Sequence, residues 1–177
     1  MIWEVDASWT LFLDRDGVLN ERIIGDYVRK PEQFKWLPGV MPALHYLTLL
    51  FGTTVVVTNQ QGVGKGLMTE SELAIIHSKM RQQARFAKAK IDAVYACTGL
   101  ATNDPPCRKP NTGMAHTAKA DHPHIDFSKS IMVGDSGSDI EFGAAVGMGT
   151  VYVGTADDVK ADLRCDNLWT FAQLLGA

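Results

Sequence analysis

The sequence predicts a doubly wound α/β fold, in which helices cover both faces of a parallel sheet. Short apolar runs rich in β-branched residues alternate along the chain with longer segments of helical spacing. No internal repeat or low-complexity segment interrupts this alternation. Connections of this kind are right-handed and return each strand parallel to its neighbour, so we expect one parallel sheet.

The individual elements follow from these patterns in order. Thr69 stands three residues before Glu72, as in a capping box, and this pair should begin the second helix. Pro38 and Pro42 suit the start of the first helix, because proline is tolerated in a first turn. The predicted strands span Trp9–Leu13, Thr53–Thr58, Ala93–Cys97, Ser130–Gly134 and Thr150–Val153. The predicted helices span Val40–Leu50, Glu70–Ala89, roughly Thr112–Ala120, Asp139–Val146 and Asn167–Leu175.

Length and composition favour one soluble globular domain over residues 1–177. The chain is 46% apolar and 21% charged, and its net charge of −3 leaves no electrostatic footprint for nucleic acid or an anionic membrane. The start does not resemble a signal peptide, and the apolar runs are too short for a membrane span. Three cysteines, Cys97, Cys107 and Cys165, predict no disulfide framework, so we expect a cytoplasmic protein. The sequence leaves the oligomeric state open and is compatible with a monomer.

Two carboxylates, Asp14 and Asp16, follow the first predicted strand, with Gly17 directly after them. Ligands of such sheets bind outside the carboxyl ends of the strands, so both side chains should lie at the binding edge. Taken alone, this sequence is more often an ordinary turn, because Asp and Gly are typical turn residues. The residues that follow the other strands decide between the two interpretations.

Polar groups follow the later strands as well. Thr58, Asn59 and Gln60 end the second strand and precede a glycine-rich loop whose backbone N–H groups could hold an anion. Arg108 and Lys109 close the long irregular loop after the third strand, where a solvated charge pair is the alternative.

Asp135 and Asp139 follow the fourth strand, where a helix cap is the alternative. Independent turns would rarely place acids, a hydroxyl, a cation and further acids at successive strand ends in this order. Phosphoryl transfer through a carboxylate requires this set of groups together with a hard metal site. The sequence therefore predicts a phosphoryl-transfer site.

The chain resembles the haloacid dehalogenase (HAD) superfamily from about Thr10 to about Val153. The four motifs of that superfamily correspond here to Asp14-Arg15-Asp16, Thr58, Lys109 and Gly134–Asp139. Within it, the chain looks most like the branch of heptose bisphosphate and histidinol-phosphate phosphatases. The segments that carry this closer resemblance are Asp14–Gly17, Thr58–Gln60, Cys107–Pro110 and Gly113-Met114, with Asp26–Val28, Trp36–Val40 and Gly64–Gly66 favouring the heptose phosphatases.

The resemblance implies catalysis through an aspartyl phosphate. Asp14 would be the nucleophile, and Asp16 would protonate the leaving oxygen and later activate water. Mg²⁺ would bind the carboxylates of Asp14 and Asp135 and the backbone carbonyl of Asp16. Thr58 would hold phosphoryl oxygens, and Lys109 would neutralise their charge.

The resemblance also implies a small phosphorylated metabolite as the partner. Arg108 suits a second phosphate or another anionic group, whereas for Arg22 a solvated side chain is the alternative. Asp139 would either orient Lys109 or the metal waters, or cap a helix. No large cap domain is expected, since the two segments where relatives insert one are short. The residues expected to contact the substrate are Asn59, Gln60, Arg108 and Arg22.

The long loop departs from this branch, whose members usually bind zinc through a Cys-x-His pair and a Cys-x-Cys pair. Only Cys97 and Cys107 remain of these ligands, and two sulfurs cannot complete the tetrahedral site of structural zinc. We therefore expect the protein to fold without zinc, although another metal role of this loop is left open.

Other functions are compatible with parts of the pattern. An inactive HAD-like binding module would be expected to lose a catalytic position, yet all four motifs remain. A phosphotransferase or mutase would need a site closed to water. Among phosphatases, histidinol phosphate and other sugar phosphates compete with a heptose bisphosphate, which the resemblance favours.

Overall fold

The computed structural model describes residues 2–156 and 158–177 and contains the predicted parallel sheet. Its strands are β1 (Thr10–Leu13), β2 (Thr53–Asn59), β3 (Ala93–Cys97), β4 (Ser130–Gly134), β5 (Gly149–Val153) and β6 (Leu163–Cys165). They lie in the order β3-β2-β1-β4-β5-β6, and every neighbouring pair is parallel. β2 and then β3 are added on one side of β1, and β4, β5 and β6 are added in turn on its other side. The strand order therefore reverses between β1 and β4, where such sheets bind their ligands.

The helices begin close to the predicted positions. They are α1 (Val40–Leu50), α2 (Glu70–Phe86), α3 (Gly113–Asp121), α4 (Gly137–Val146) and α5 (Leu168–Leu174). The capping box at α2 is confirmed, because Thr69 Oγ1 accepts from the Glu72 N–H at 3.1 Å and Glu72 Oε2 accepts from the Thr69 N–H at 2.7 Å. α2 ends at Phe86 rather than Ala89, since Lys88 adopts a left-handed conformation with φ of 57° that a helix cannot contain.

Apolar side chains cover both faces of the sheet. Leu11 and Leu13 of β1 pack on one side, in a cluster that includes residues of α1, α2 and α5. Phe12 points to the opposite side and packs with residues of α3 and α4, such as Phe142. This alternation follows from the two-residue period of a strand. The predicted doubly wound arrangement is confirmed.

Within the described residues, β6 is the one sheet strand that the sequence did not predict. It contains three residues and pairs with β5 at the sheet edge, where Arg164 is exposed. So short a run carries no measurable periodicity. The two segments where relatives could insert a cap, 16–37 and 98–110, each contain one short 3₁₀ turn in this structure. None of the helices in the described part of the chain is both long and apolar enough to cross a membrane.

Two of the three cysteines form a disulfide, so the prediction of no disulfide framework is wrong for this pair. Cys97 ends β3 and Cys107 lies ten residues later, with their Cα atoms 5.3 Å apart. The loop folds back because Gly99 lets Pro105 approach closely: a Cβ on Gly99 would lie 2.8 Å from the Pro105 ring. Cys165 is free and buried.

Candidate active site

The predicted site residues converge at the carboxyl ends of β1, β2 and β4. Asp14 directly follows β1, and its N–H donates to Val133 O of β4 at 3.0 Å. The side chains surround an open cleft of about 680 Å³. Its walls include Asp14, Asp16, Arg22, Tyr27, Thr58, Asn59, Lys65, Arg108, Lys109, Ser136, Ser138 and Asp139.

Three carboxylates form an acidic cluster, consisting of Asp14, Asp135 and Asp139. Each offers an oxygen within 4.8 Å of the other two. Two glycines permit this approach. A Cβ at Gly17 would lie 1.9 Å from Asp135 Oδ2, and one at Gly134 would lie 2.1 Å from the Asp139 Cβ. The sequence did not assign Asp139 to this cluster.

Lys109 places a buried positive charge at the bottom of the cleft. Its buried ammonium donates to Asp14 Oδ1 at 2.7 Å and to Val57 O at 2.8 Å, and pairs with Asp139 Oδ1 at 2.6 Å. Asn59 anchors the backbone of the same residue, since its Oδ1 accepts from Lys109 N at 3.0 Å and its Nδ2 donates to Lys109 O at 3.1 Å. Asn59 therefore holds the lysine as well as lining the cleft.

The acidic cluster carries unbalanced negative charge. Burial raises the pKa of Asp14 to about 7, with Asp139 and Asp135 adding to the effect and Lys109 opposing it. Burial likewise raises the pKa of Asp135 to about 6, against the nearby positive charge of Arg22. Burial is the main cause of both shifts; in addition, three carboxylates share the site with the two cations Lys109 and Arg22, so further positive charge would lower both pKa values. A divalent cation would supply that charge.

Asp139 combines the two roles that the sequence left open. One oxygen pairs with Lys109, as described above. The other, Oδ2, accepts from Ser136 N at 3.1 Å and from Ser136 Oγ at 2.6 Å, which completes a capping box at the start of α4. The helix start therefore fixes the carboxylate that orients the lysine.

Asp16 is not part of the acidic cluster, and its carboxylate is surrounded by hydrogen-bond donors. Its Oδ1 accepts from Arg15 Nη2 at 3.0 Å and Asn20 Nδ2 at 2.9 Å. Its Oδ2 accepts from Arg15 Nη2 at 2.9 Å and Gln60 Nε2 at 2.7 Å. Burial would raise the pKa of Asp16, but Arg15 and these hydrogen bonds outweigh it and hold the pKa below its ordinary value. Asp16 is therefore ionised in this arrangement.

Gln60 lies beneath the cleft rather than on its wall, with 0% of its surface exposed. Its amide nitrogen donates both to Asp16 and, at 2.8 Å, to Thr58 Oγ1. The Thr58 hydroxyl thus accepts from Gln60, which leaves its own proton free to donate into the cleft. A substrate contact of Gln60, expected from the sequence, does not fit this buried position.

Cations line the upper wall of the cleft. Arg22 is half exposed, and its Nη2 lies 2.9 Å from Asp135 Oδ1. Arg108 reaches the cleft, and its Nη1 is one of the buried polar atoms without a hydrogen-bond partner among the described residues. Lys65, which the sequence did not single out as a site residue, lies 3.1 Å from the Tyr27 hydroxyl on the same wall. Its position depends on the loop after β2, which sequence spacing alone could not place.

Comparisons with known proteins agree with this geometry. A family model described as HAD-hydrolase-like matches residues 106–170. The chain is 41% identical to the D-glycero-alpha-D-manno-heptose-1,7-bisphosphate 7-phosphatase of Mycobacterium tuberculosis, over 96% of this chain and 92% of that protein. It is 33% identical to the D-glycero-beta-D-manno-heptose-1,7-bisphosphate 7-phosphatase of Escherichia coli K12, over 93% and 88% of the two chains.

A solved structure shows the same architecture. The D,D-heptose 1,7-bisphosphate phosphatase of B. bronchiseptica, complexed with magnesium and phosphate, superposes with a TM-score of 0.86 and 29% identity. The alignment covers 94% of this chain and 97% of that one. The chain therefore belongs to the HAD superfamily and, within it, to the family of the heptose-1,7-bisphosphate 7-phosphatases.

Proposed function

We propose that this protein hydrolyses the 7-phosphate of D-glycero-D-manno-heptose 1,7-bisphosphate through an aspartyl phosphate on Asp14. The observation that carries the proposal is the buried contact of Lys109 with Asp14 and Asp139, at 2.7 and 2.6 Å, on the floor of a cleft with cations on its wall. A nucleophilic carboxylate, a fixed cation and room for a second anionic group are what this reaction needs.

The acidic cluster fits Mg²⁺. Oxygen ligands from few carboxylates suit this small, hard ion, and the three carboxylates of the cluster are paired with two cations, Lys109 and Arg22. Asp14 and Asp135 would hold the ion, with the backbone carbonyl of Asp16 as the further ligand expected from the family resemblance. When bound, Mg²⁺ supplies positive charge that offsets repulsion between the nucleophile and the phosphate.

The residues of this chain divide the chemistry into two steps. In the first, an Asp14 oxygen bonds to phosphorus, the bond from phosphorus to the sugar oxygen breaks, and Asp16 protonates that oxygen. Because its donors hold Asp16 ionised in the free protein, it must first take up a proton from water or from the substrate phosphate. In the second, water attacks phosphorus and passes a proton to Asp16, and the bond to Asp14 breaks to release phosphate. Thr58 can donate its hydroxyl proton to a phosphoryl oxygen, and Lys109 stabilises the charge at Asp14 throughout.

Selection of a bisphosphate requires a second anion site. Arg108 has a buried Nη1 without a partner in the described part of the chain, and it shares the cleft wall with Lys65. A guanidinium stays protonated and binds phosphate through two parallel donors, so Arg108 is suited to the distal phosphate. This arrangement favours a bisphosphate over histidinol phosphate, whose far end is cationic.

We expect no structural zinc. Cys97 and Cys107 are joined to each other, so neither offers the thiolate that zinc binds. Elemental analysis of protein purified without chelators should find far less than one zinc per chain. Stoichiometric zinc, lost together with the fold on chelation, would contradict this expectation. The Cys97–Cys107 disulfide removes the cysteine argument for a cytoplasmic location. That location, like the absence of nucleic-acid and membrane partners, stays a prediction from the sequence.

The function can be tested by measuring phosphate release from a panel of esters with and without Mg²⁺. The panel contains both anomers of the heptose 1,7-bisphosphate, the heptose 7-phosphate, another sugar bisphosphate and histidinol phosphate. We expect the highest kcat/KM for a heptose bisphosphate, preferably the α anomer, which the relative with 41% identity acts on by name. Asp14→Asn is the control, because it keeps the shape of the site but cannot attack phosphorus. Faster release from histidinol phosphate, or activity retained by Asp14→Asn, would refute the proposal.

A further inference from the structure

Arg15 is a fully buried charge beside the proposed catalytic carboxylates, with 0% of its surface exposed. Its Nη2 donates to both oxygens of Asp16, as described above. Its Nη1 lies 3.0 Å from Nε2 of His77 on α2. A buried charge is costly unless it is paired and hydrogen-bonded, so these partners fix where the guanidinium lies.

His77 accepts the hydrogen bond from Arg15. A guanidinium has donors and no acceptor, so Nε2 of His77 must carry the lone pair and Nδ1 the proton. Burial, reinforced by the positive charge of Arg15, lowers the pKa of His77 to about 3. The imidazole is therefore neutral at neutral pH and serves as a fixed acceptor. His77 thus holds Nη1 of Arg15, whereas Nη2 of the same guanidinium contacts Asp16.

The network around Asp16 leaves several of its own polar atoms unsatisfied. Four buried side-chain atoms lack a hydrogen-bond partner among the described residues, and three of them belong to the donors of Asp16: Arg15 Nε, Asn20 Oδ1 and Gln60 Oε1. Each such atom loses its hydrogen bonds to water on folding without gaining another, which lowers stability. A network selected for stability alone would avoid this cost. What Arg15, Asn20 and Gln60 share is that each donates a hydrogen bond to the Asp16 carboxylate.

We propose that Arg15 and His77 form a positioning pair that holds the Asp16 carboxylate in place for proton transfer. The proposal rests on the proposed function, because it assigns Asp16 the role of acid and base. Neither Arg15 nor His77 forms a hydrogen bond to the acidic cluster in the described part of the chain. Attack by Asp14 on phosphorus should therefore not depend on them. The pair should matter where Asp16 must accept a proton from water.

A substrate with an acidic leaving group separates the two steps. With p-nitrophenyl phosphate, phosphorylation of Asp14 releases p-nitrophenolate, which leaves without a proton. Hydrolysis of the aspartyl phosphate still requires Asp16 to accept a proton from the attacking water. Rapid mixing of the Mg²⁺-loaded enzyme with this ester shows the first step as a burst of p-nitrophenolate whenever hydrolysis of the aspartyl phosphate is the slower step. The steady-state rate then reports that hydrolysis.

The informative variants are His77→Leu, which removes the acceptor, and His77→Gln, which can restore one. His77→Leu should keep a burst rate within about threefold of wild type, while steady-state turnover falls about 10- to 100-fold. Aspartyl phosphate should then accumulate to nearly one per site. His77→Gln should recover most of the turnover. Met80→Leu is the matched control, because Met80 is buried on the same helix without contacting Arg15 through a hydrogen bond.

Several results would overturn the proposal. A proportional fall of burst and turnover in His77→Leu would indicate general damage, and unchanged kinetics would show that His77 is not needed. If His77→Leu does not fold, Arg15→Lys gives the same test, since lysine keeps the buried charge but not both contacts. Wild-type turnover in Arg15→Lys would then contradict the proposed positioning role of Arg15 and His77. These results can be distinguished from failure of the proposed function. If the proposed function is wrong, the wild-type protein releases no p-nitrophenolate, or Asp14→Asn remains active.

Discussion

Replacing Gly17 with alanine should strongly weaken metal binding and leave the fold in place. Gly17 adopts φ of +91°, and a Cβ there would lie 1.9 Å from Asp135 Oδ2. Ordinary van der Waals contact begins at 3.4 Å, which is 1.5 Å further, so the carboxylate must move by about that distance. Changes that merely reorient a metal ligand cost about 10- to 100-fold in affinity. We therefore expect Mg²⁺ affinity to fall about 100-fold or more, and turnover with it.

The effect must be separated from backbone strain, which any side chain suffers at a positive φ. Gly147 provides the control, since its φ is +85° and a Cβ there meets nothing within 4 Å. Both variants should lose about 1–2 kcal/mol of unfolding free energy in urea titrations. Calorimetric titration with Mg²⁺ should show weakened binding for Gly17→Ala alone. Wild-type affinity in Gly17→Ala, or an equal loss in Gly147→Ala, would refute this reasoning.

Three further predictions concern the substrate, the disulfide and the metal. Arg108→Ala should raise KM about tenfold for the heptose bisphosphate and little for the monophosphate in steady-state kinetics; equal changes would exclude a distal-phosphate role. Replacing Cys97 and Cys107 together with serine should lower the unfolding free energy by about 2–3 kcal/mol in urea, and a reductant should reproduce this in wild type but not in the variant. Because the pKa of folded Asp14, about 7, exceeds the ordinary 3.8, the folded state binds more protons than the unfolded state between these values. The metal-free protein should therefore melt at lower temperature as pH rises through this range, and Mg²⁺ should stabilise it more at the upper end; a flat profile would contradict the assignment.

Local sequence patterns were sufficient for the sheet and for most of the catalytic centre. β1, β2 and β4 are buried strands, and a polar side chain either directly follows the strand, as Asp14 and Asp135 do, or lies near its end, as Thr58 does. Parallel strands deliver such residues to one edge. That Asp14, Thr58 and Asp135 lie close together can therefore be predicted without any knowledge of side-chain packing. Lys109 joins them because Asn59, at the end of β2, hydrogen-bonds both its N–H and its carbonyl oxygen.

Contacts between distant segments account for what the sequence did not predict. Arg15 and His77 are 62 residues apart, and their meeting depends on how α2 packs over the loop after β1. The Cys97–Cys107 disulfide depends on the backbone path of the intervening loop. Gln60 reads from the sequence as another polar residue of an anion-binding loop, and only the packing shows that it is buried. No periodicity or turn signal encodes these contacts.

The two aspartates of the Asp-x-Asp motif lie two residues apart and experience opposite environments. Asp14 is buried with two other carboxylates, and its pKa is raised to about 7. Asp16 is surrounded by donors from Arg15, Asn20 and Gln60, which hold its pKa low. Pairs of carboxyl groups whose surroundings separate their pKa values commonly divide catalytic roles. The spacing of the motif brings both acids to the cleft, but their neighbours distinguish them. In the mechanism that we propose, the nearby cation suits Asp14 to be the nucleophile, and the buried donors suit Asp16 to be the base for water.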